Sequence, residues 1–337
     1  MLTRGFTGAM VFGMRLARIK GQAGGVAVYH CISRVVGGEK LLDAACREKL
    51  SELLMALSAF TGLEVITYCM MPNHFHLLIR VPEAREIPDG ELLERAEAFY
   101  GRKGILSTLA REGMSRHGRI DAQVRQTLQG RMGDLSVFMK EFKQRFSRWF
   151  NRHAERFGTL WAERFKSVLV EDSPEAVRTV ASYIDLNPVR AGLVEDPKDY
   201  RHCGYAAAVA GGNGRIRRGL MGFLAGRTWA EAAAEYRTAL LLRAAEPGHS
   251  SKRALDRATI RRLVAEGGRL SPGQVLRLRI RHLSDGVALG SREFVDEVFE
   301  RYRQRFGPRR RSGARPIRAV PLPGLMALRD LRVDVVG

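Results

Sequence analysis

The chain has 337 residues, with 56 Lys and Arg against 36 Asp and Glu, and carries a formal charge of +20 at neutral pH. Domains usually hold roughly 100 to 200 residues, so this length indicates two domains or one domain with large additions. A hydrophobic share of 45% excludes a wholly disordered chain. No apolar run approaches the roughly 18 residues of a spanning helix, so we predict a soluble globular protein.

The excess of positive charge favours a polyanionic partner, because each phosphate contact releases condensed counterions. Half of the excess lies in residues 231–337, which hold 22 basic and 12 acidic residues. The alternative is a solvated, Arg-rich surface with no partner. The four cysteines are scattered without a C-x-x-C pair, which indicates reduced thiols in a cytoplasm rather than disulfides or a zinc site.

The first part of the chain predicts a strand, a helix and a hairpin. Residues 26–34 are rich in strand-forming side chains. Residues 44–60 repeat apolar positions at intervals of three and four, which predicts a helix that Gly62 ends. Residues 63–70 and 74–81 predict two strands joined by a short turn.

The next part predicts an insert and a second set of elements. Residues 84–134 have weak periodicity and many charges, which is typical of an inserted, partly helical segment. Residues 135–152 predict a helix with one apolar face and one basic face. Residues 160–171 look extended, and a helix from 174 should end at about 187, because Pro188 disfavours helical geometry in the preceding residue.

This order of elements predicts an α+β fold with a ferredoxin-like split βαβ antiparallel sheet and helices on one face. A fold of this kind hosts many functions, so the function has to be argued from side chains.

Two short patterns could carry chemistry. His74 and His76 lie two residues apart on a predicted strand, so both point to the same face and could share a metal ion. Tyr183 and Asn187 lie four residues apart on a predicted helix, hence on one face. Taken alone, these patterns more commonly mean satisfied or surface histidines, an ordinary helix residue at Tyr183 and a helix cap at Asn187. His30 could support a metal ligand, although a core histidine is the commoner case.

Together these patterns resemble a known family. MPNHFHLLI at 71–79 resembles the HUH motif of single-tyrosine, IS200-like transposases, and YIDLNPVRAGLV at 183–194 resembles their tyrosine helix. Residues 24–34 and 160–171 are similar to REP-associated tyrosine transposases, the chromosomal single-copy relatives. The resemblance covers residues 14–205, an HUH transposase domain whose insert is 84–134. It leaves 206–219 as a linker, 220–306 as a helical, possibly DNA-binding domain, and 307–337 as a disordered basic tail.

The resemblance implies that Tyr183 is the nucleophile and that His74 and His76 bind a divalent cation, Mg²⁺ or Mn²⁺. Asn187 falls where relatives place a third polar ligand. The implied reaction cleaves and rejoins single-stranded DNA at hairpin-forming palindromes through a 5′-phosphotyrosine, without a nucleotide cofactor.

The predicted DNA contacts come from the basic residues near the motifs. Arg34 ends the first strand, and four further cations lie on the basic face of the helix 135–152, namely Lys140, Lys143, Arg148 and Arg152. We expect a nucleoid-associated protein without a membrane partner, either a monomer or a homodimer. The alternatives are a sequence-specific DNA- or RNA-binding protein that has lost turnover, and another HUH nickase such as a replication initiator or relaxase.

Overall fold

The computed structural model describes residues 18–211, 214–245, 286–317 and 324–331. The start of the predicted transposase domain at residue 14 and the segment 246–285 lie outside the described residues. The strands are β1 (Ala27–Arg34), β2 (Glu64–Met70), β3 (His74–Val81), β4 (Lys166–Val170), β5 (Ala288–Gly290), β6 (Arg315–Pro316) and β7 (Met326–Leu328). The helices are α1 (Ala44–Thr61), α2 (Asp89–Tyr100), α3 (Ile105–His117), α4 (Ala122–Gln129), α5 (Leu135–His153), α6 (Pro174–Asp185), α7 (Asn187–Arg190), α8 (Gly204–Val209), α9 (Gly214–Met221), α10 (Trp229–Ala245) and α11 (Arg292–Arg301).

The predicted α+β class and split βαβ sheet are confirmed. The sheet runs in the order β2-β3-β1-β4-β5-β7-β6, and its first four strands pair with one another in antiparallel fashion. Strands β1 and β2 both flank β3 and both run opposite to it, so they are parallel to each other with β3 between them. This is the ferredoxin-like arrangement, formed by β1-α1-β2-β3-α5-β4.

Local signals explain where the main helices begin and end. The side chain of Asp43 accepts a hydrogen bond from the Cys46 backbone nitrogen at the start of α1, and Gly62, with φ of 76°, ends that helix. Asp134 caps α5 in the same way, through the nitrogens of Ser136 and Val137. Ser173 caps α6, whose first residue is Pro174.

The two faces of the sheet are covered by different helices, which corrects the prediction of helices on one face. Phe75 packs on Phe142 of α5, with ring centroids 5.3 Å apart. The next residue, His76, points to the opposite face because strand side chains alternate, and there it meets Tyr183 of α6. The helix α6 therefore lies across the sheet from α5, and the sheet is buried on both faces.

The predicted insert 84–134 contains α2, α3 and α4. Its helices pack against α1, where the Phe60 ring stacks on the Phe99 ring with centroids 4.9 Å apart. The insert therefore extends the layer on the α5 face of the sheet.

The chain after residue 205 is more ordered than its composition predicted. The glycine-rich linker at 206–219 is largely helical in its described residues, forming parts of α8 and α9. Its glycines permit close packing, because a Cβ on Gly219 would lie 2.6 Å from the Val65 carbonyl oxygen of β2. Within 220–306, which was predicted to be helical, β5 pairs with β4 in parallel.

The segment 307–337 was predicted to be a disordered basic tail, and its described residues contradict this. They supply β6 and β7, and β7 lies between β5 and the edge strand β6, pairing with both. Leu325, Ala327 and Leu328 are buried there. Apolar burial and strand pairing outweigh the local charge. Among the described helices, none combines the length and apolar character that crossing a bilayer requires.

Candidate functional site

His74 and His76 project from β3 onto the α6 face of the sheet. His76 is buried and His74 is half-buried. Their ring centroids are 5.0 Å apart, as expected for side chains two residues apart on one strand. The two imidazoles could therefore bind one ion.

The helix α6 brings Tyr183 to these histidines from more than a hundred residues away in the sequence. The Tyr183 ring centroid lies 5.8 Å from that of His76 and 5.9 Å from that of His30. The phenol is half-buried, so its face of the helix opens onto solvent and remains accessible to a substrate.

A buried carboxyl group anchors the helix that carries Tyr183. Asp185 accepts hydrogen bonds from the Thr67 hydroxyl of β2 at 2.8 Å and from the Tyr236 hydroxyl of α10 at 2.7 Å. The backbone nitrogen of Tyr205 donates a third bond, at 3.3 Å. Because Asp185 is two residues after Tyr183, these bonds fix the position of the phenol relative to the sheet.

His30 belongs to the site and is more than a core residue. Its Nε2 lies 2.9 Å from Nδ1 of His76, so one of these two nitrogens donates to the other. The Nδ1 atom of His74 is similarly engaged, 2.6 Å from Oδ1 of Asn73. Both histidines of the pair are therefore oriented through Nδ1, which leaves Nε2 of each as the candidate ligand atom.

Burial and positive neighbours keep both imidazoles neutral. Burial, together with the smaller effect of the Arg34 charge, lowers the pKa of His74 to about 4. Burial also lowers the pKa of His76 well below its ordinary value, with smaller contributions from four neighbouring basic side chains, which are His74, His30, Arg190 and Arg34. A neutral imidazole has the free lone pair that a metal ion requires.

The donor set fits a divalent cation that accepts imidazole nitrogen. The described part of the chain contains no cluster of three or more His, Cys, Asp or Glu side chains that could hold a metal. Two imidazoles suit Mn²⁺ better than Mg²⁺, which favours oxygen, and further ligands would have to come from an amide, water or substrate.

Asn187 makes the hydrogen bonds of a helix-capping residue. Its Nδ2 donates to the carbonyl oxygens of Tyr183 at 3.0 Å and Ile184 at 3.2 Å. The helical path continues for one more turn, α7, in which Pro188 occupies an early position. The role of Asn187 as a metal ligand stays a prediction.

Two arginines flank the histidine pair. Arg34 is exposed and lies directly opposite His74 in the pairing of β1 with β3. Arg190 influences the pKa of His76, and its guanidinium carbon lies 4.8 Å from the centroid of the Tyr183 ring. The sequence motif contains Arg190, but only the fold shows that it faces the tyrosine.

The other predicted DNA contacts lie on α5, across the sheet from Tyr183. Lys140 and Arg148 line a depression on the outer surface of this helix, and Arg152 is exposed in its last turn. Lys143 donates to the carbonyl oxygen of Glu163 at 2.8 Å, and burial lowers its pKa to about 8. None of these four cations is among the groups that influence the pKa of His74 or His76, and their contact with DNA stays a prediction.

The sequence did not predict that three further residues, His30, Arg190 and Asn73, belong to the site. His30 could have been found from its position, since it lies on the same face of β1 as Arg34, four residues later. Arg190 lies seven residues after Tyr183, two helical turns further along. The contact between Asn73 and His74 depends on the turn before β3 and has no periodic signal.

Comparison with known proteins supports this reading of the strands. Residues 26–89 match the family model of IS200-like transposases. The ISDra2 transposase TnpA of Deinococcus radiodurans is 38% identical over 61 residues, which are 18% of this chain and 44% of that protein. A solved structure of a REP-associated tyrosine transposase bound to a REP hairpin has a TM-score of 0.35 and 15% identity, covering 58% of this chain and 86% of the other.

The match spans less than half the length of the curated relative. The predicted resemblance to IS200-like transposases is confirmed over residues 26–89, which include β1, β2 and β3 with His74 and His76. Tyr183 lies outside this range, so its assignment depends on the geometry described above.

Proposed function

We propose that this chain is a metal-dependent transposase of the IS200-like, REP-associated type, which cleaves and rejoins single-stranded DNA at hairpin-forming palindromes. Tyr183 is the nucleophile. This proposal depends above all on one contact. The Tyr183 ring on α6 and the His76 ring on β3 meet between the helix and the sheet, with centroids 5.8 Å apart.

The charge of the site supports an anionic substrate. The groups that influence the pKa of His76 are all basic, and no carboxylate is among them. A phosphodiester entering this site would meet two guanidinium groups and the histidine pair. Such a surface attracts the backbone of a nucleic acid, whereas a neutral or cationic ligand gains nothing from it.

His74 and His76 would hold the cation through Nε2. When bound, an Mg²⁺ or Mn²⁺ ion offsets the negative charge that develops on the scissile phosphate. The protein's own contribution is orientation. Asp185 holds the helix against β2, and His30 holds the ring of His76, so that phenol and imidazole face the same space.

The proposed reaction conserves the energy of the DNA linkage. The phenolic oxygen of Tyr183 forms a bond to phosphorus while the bond from phosphorus to the 3′-oxygen breaks. The phenol loses a proton and the departing 3′-oxygen gains one. The products are a 5′-phosphotyrosine and a free 3′-OH, and attack by a 3′-OH on the phosphotyrosine reverses the step. No nucleotide cofactor is required.

The test is covalent capture of labelled DNA. A pool of hairpin oligonucleotides with randomised single-stranded flanks is labelled at the 3′ end or the 5′ end and incubated with the protein and Mn²⁺. The proposal predicts that the 3′ label migrates with the denatured protein and that the 5′ label is released on a shorter fragment.

The variant Tyr183→Phe should give no adduct while retaining DNA binding. Tyr302→Phe is the matched control, since Tyr302 is also half-buried but its hydroxyl contacts the backbone of Lys20, outside the site. An adduct that persists in Tyr183→Phe would refute the assignment of the nucleophile. Binding without any adduct in the native protein would favour a DNA- or RNA-binding protein without turnover.

A further inference from the structure

Arg190, on α7, continues the partly open face of the helix α6 that carries Tyr183. Along α6 and α7, the residues from Ile184 to Val189 are buried except Asn187. Tyr183, Asn187 and Arg190 are half-buried and follow the spacing of four and three that places side chains on one helical face. The guanidinium therefore shares an opening with the phenol.

The position of Arg190 leaves part of its hydrogen-bonding capacity unused. Its guanidinium carbon lies 4.8 Å from the centre of the Tyr183 ring, which is within the range of a cation–π contact. Its Nη1 atom is buried, and no described residue accepts a hydrogen bond from it. Burying a charged donor without an acceptor is costly, so this atom lies where an acceptor from outside the chain would be favourable.

Other partly buried arginines of the same region do have acceptors. Arg178, on the same helix, donates to Glu235 at 3.0 Å. Arg237 donates to both carboxylate oxygens of Asp196. Arg190 has no such carboxylate among the described residues, and its neighbours at the site are basic. Packing alone does not explain an unpaired Arg190, because an arginine with a carboxylate acceptor would fill the same space with a smaller desolvation penalty.

We infer that Arg190 is a phosphate-binding residue of the site, and that its guanidinium donates hydrogen bonds to the phosphodiester that Tyr183 attacks. A guanidinium presents paired N–H groups that match two phosphate oxygens. Because Arg190 lies over the phenol ring, a phosphate bound to it is held beside the nucleophile. This inference rests on the proposed function, but it can be tested by binding alone.

The experiment is a double-mutant cycle, in which one change removes the charge of Arg190 and the other removes the charge of one DNA phosphate. The protein carries Tyr183→Phe, which prevents covalent attachment, and EDTA removes metal ions. The probe is a hairpin oligonucleotide selected from the pool by binding to this variant. Each phosphate of its single-stranded flank is replaced in turn by an uncharged methylphosphonate, and affinity is measured by fluorescence anisotropy with Arg190 and with Arg190→Gln.

We expect Arg190→Gln to weaken binding of the unmodified probe by about tenfold or more, the effect of losing a hydrogen bond between charged partners. One methylphosphonate should weaken binding to the protein with Arg190 and have no further effect on Arg190→Gln. Arg178→Gln, which removes the same charge from the same helix, should leave the response to that methylphosphonate unchanged.

Two results would overturn the inference. One is unchanged affinity in Arg190→Gln. The other is that the fold-loss of affinity from Arg190→Gln is the same with every methylphosphonate probe as with the unmodified probe. The proposed function fails separately, if the native protein forms no adduct. Coupling of Arg190 to one phosphate without any adduct would retain Arg190 as a phosphate-binding residue and refute the nuclease reaction. In a protein that forms adducts, the coupled phosphate should be the one attached to Tyr183.

Discussion

Asp185, whose carboxyl group anchors the helix of Tyr183, should make the free energy of unfolding depend strongly on pH. Burial raises the pKa of Asp185 from its ordinary 3.8 to about 7, although the hydrogen bonds from Tyr236, Thr67 and Tyr205 oppose this rise. Between these two values the unfolded chain has released the proton while the folded chain still holds it. The free energy of unfolding therefore falls as the pH rises from about 4 to about 7, and the contribution is constant above that range.

The size of this contribution follows from the two pKa values. The difference between 3.8 and about 7, at 1.36 kcal/mol per pKa unit, corresponds to about 4 kcal/mol. Asp185→Asn keeps a carbonyl acceptor for the Thr67 or Tyr236 hydroxyl and removes the titration. The native protein should therefore lose about 4 kcal/mol relative to this variant when the pH rises through the window.

The assay is urea unfolding followed by tryptophan fluorescence at several pH values from about 4 to about 8. The quantity compared is the unfolding free energy of the native protein minus that of Asp185→Asn, so that other titrating groups cancel. Glu297→Gln is the control for the loss of a carboxyl group, because the Glu297 side chain is 63% exposed whereas Asp185 is buried. A constant difference for Asp185→Asn would refute the reasoning that burial controls this carboxyl group.

Three further predictions concern the same framework. Tyr236→Phe removes a hydrogen bond to the buried Asp185 and should lower the unfolding free energy by about 1 to 3 kcal/mol at pH 8, measured by urea unfolding. Gly219→Ala should destabilise the protein by a similar amount, since the new methyl group would meet a β2 carbonyl oxygen at 2.6 Å, and this is measured by thermal unfolding. His74 and His76 should bind Mn²⁺ weakly in the free protein and more tightly when DNA is bound, because DNA phosphate supplies oxygen ligands and offsets the positive site, and isothermal titration calorimetry checks this.

Two control variants show whether the loss of stability and the Mn²⁺ binding are specific to the positions named. Gly90→Ala places a methyl group in open space within α2 and should leave the melting temperature nearly unchanged. His117→Ala removes an exposed histidine on α3 and should leave Mn²⁺ binding unchanged. Equal loss of stability in the two glycine variants would contradict the close-packing argument, and tight Mn²⁺ binding without DNA would contradict the electrostatic one.

Much of the core could be predicted from local patterns because those patterns are strong. The alternating residues of β3 place His74 and His76 on one face, and the apolar repeat of α5 identifies the helix face that Phe142 buries against Phe75. Ser173 and Pro174 give the start of α6 to the residue. In each case the signal lies within a few neighbouring residues.

Features that depend on distant contacts were not predicted. The strands β5, β6 and β7 have two or three residues each, too few for periodicity, and they form because they pair with strands already in place. The side of the sheet that α6 covers depends on bonds between Asp185 and residues on β2 and α10. The same placement explains why the contacts of His30 and Arg190 emerge only in the folded chain.

Peptide mass spectrometry, after reaction with a hairpin oligonucleotide and trimming of the bound DNA by nuclease, shows directly whether Tyr183 is the nucleophile. Trypsin should release residues 179–190 as TVASYIDLNPVR, the segment that contains Tyr183. We expect a nucleotide linked through its phosphate to Tyr183 of this peptide, and no modification of the peptide in His76→Ala. A nucleotide linked through its phosphate to any of the other seven tyrosines, with Tyr183 unmodified, would show that Tyr183 is not the nucleophile.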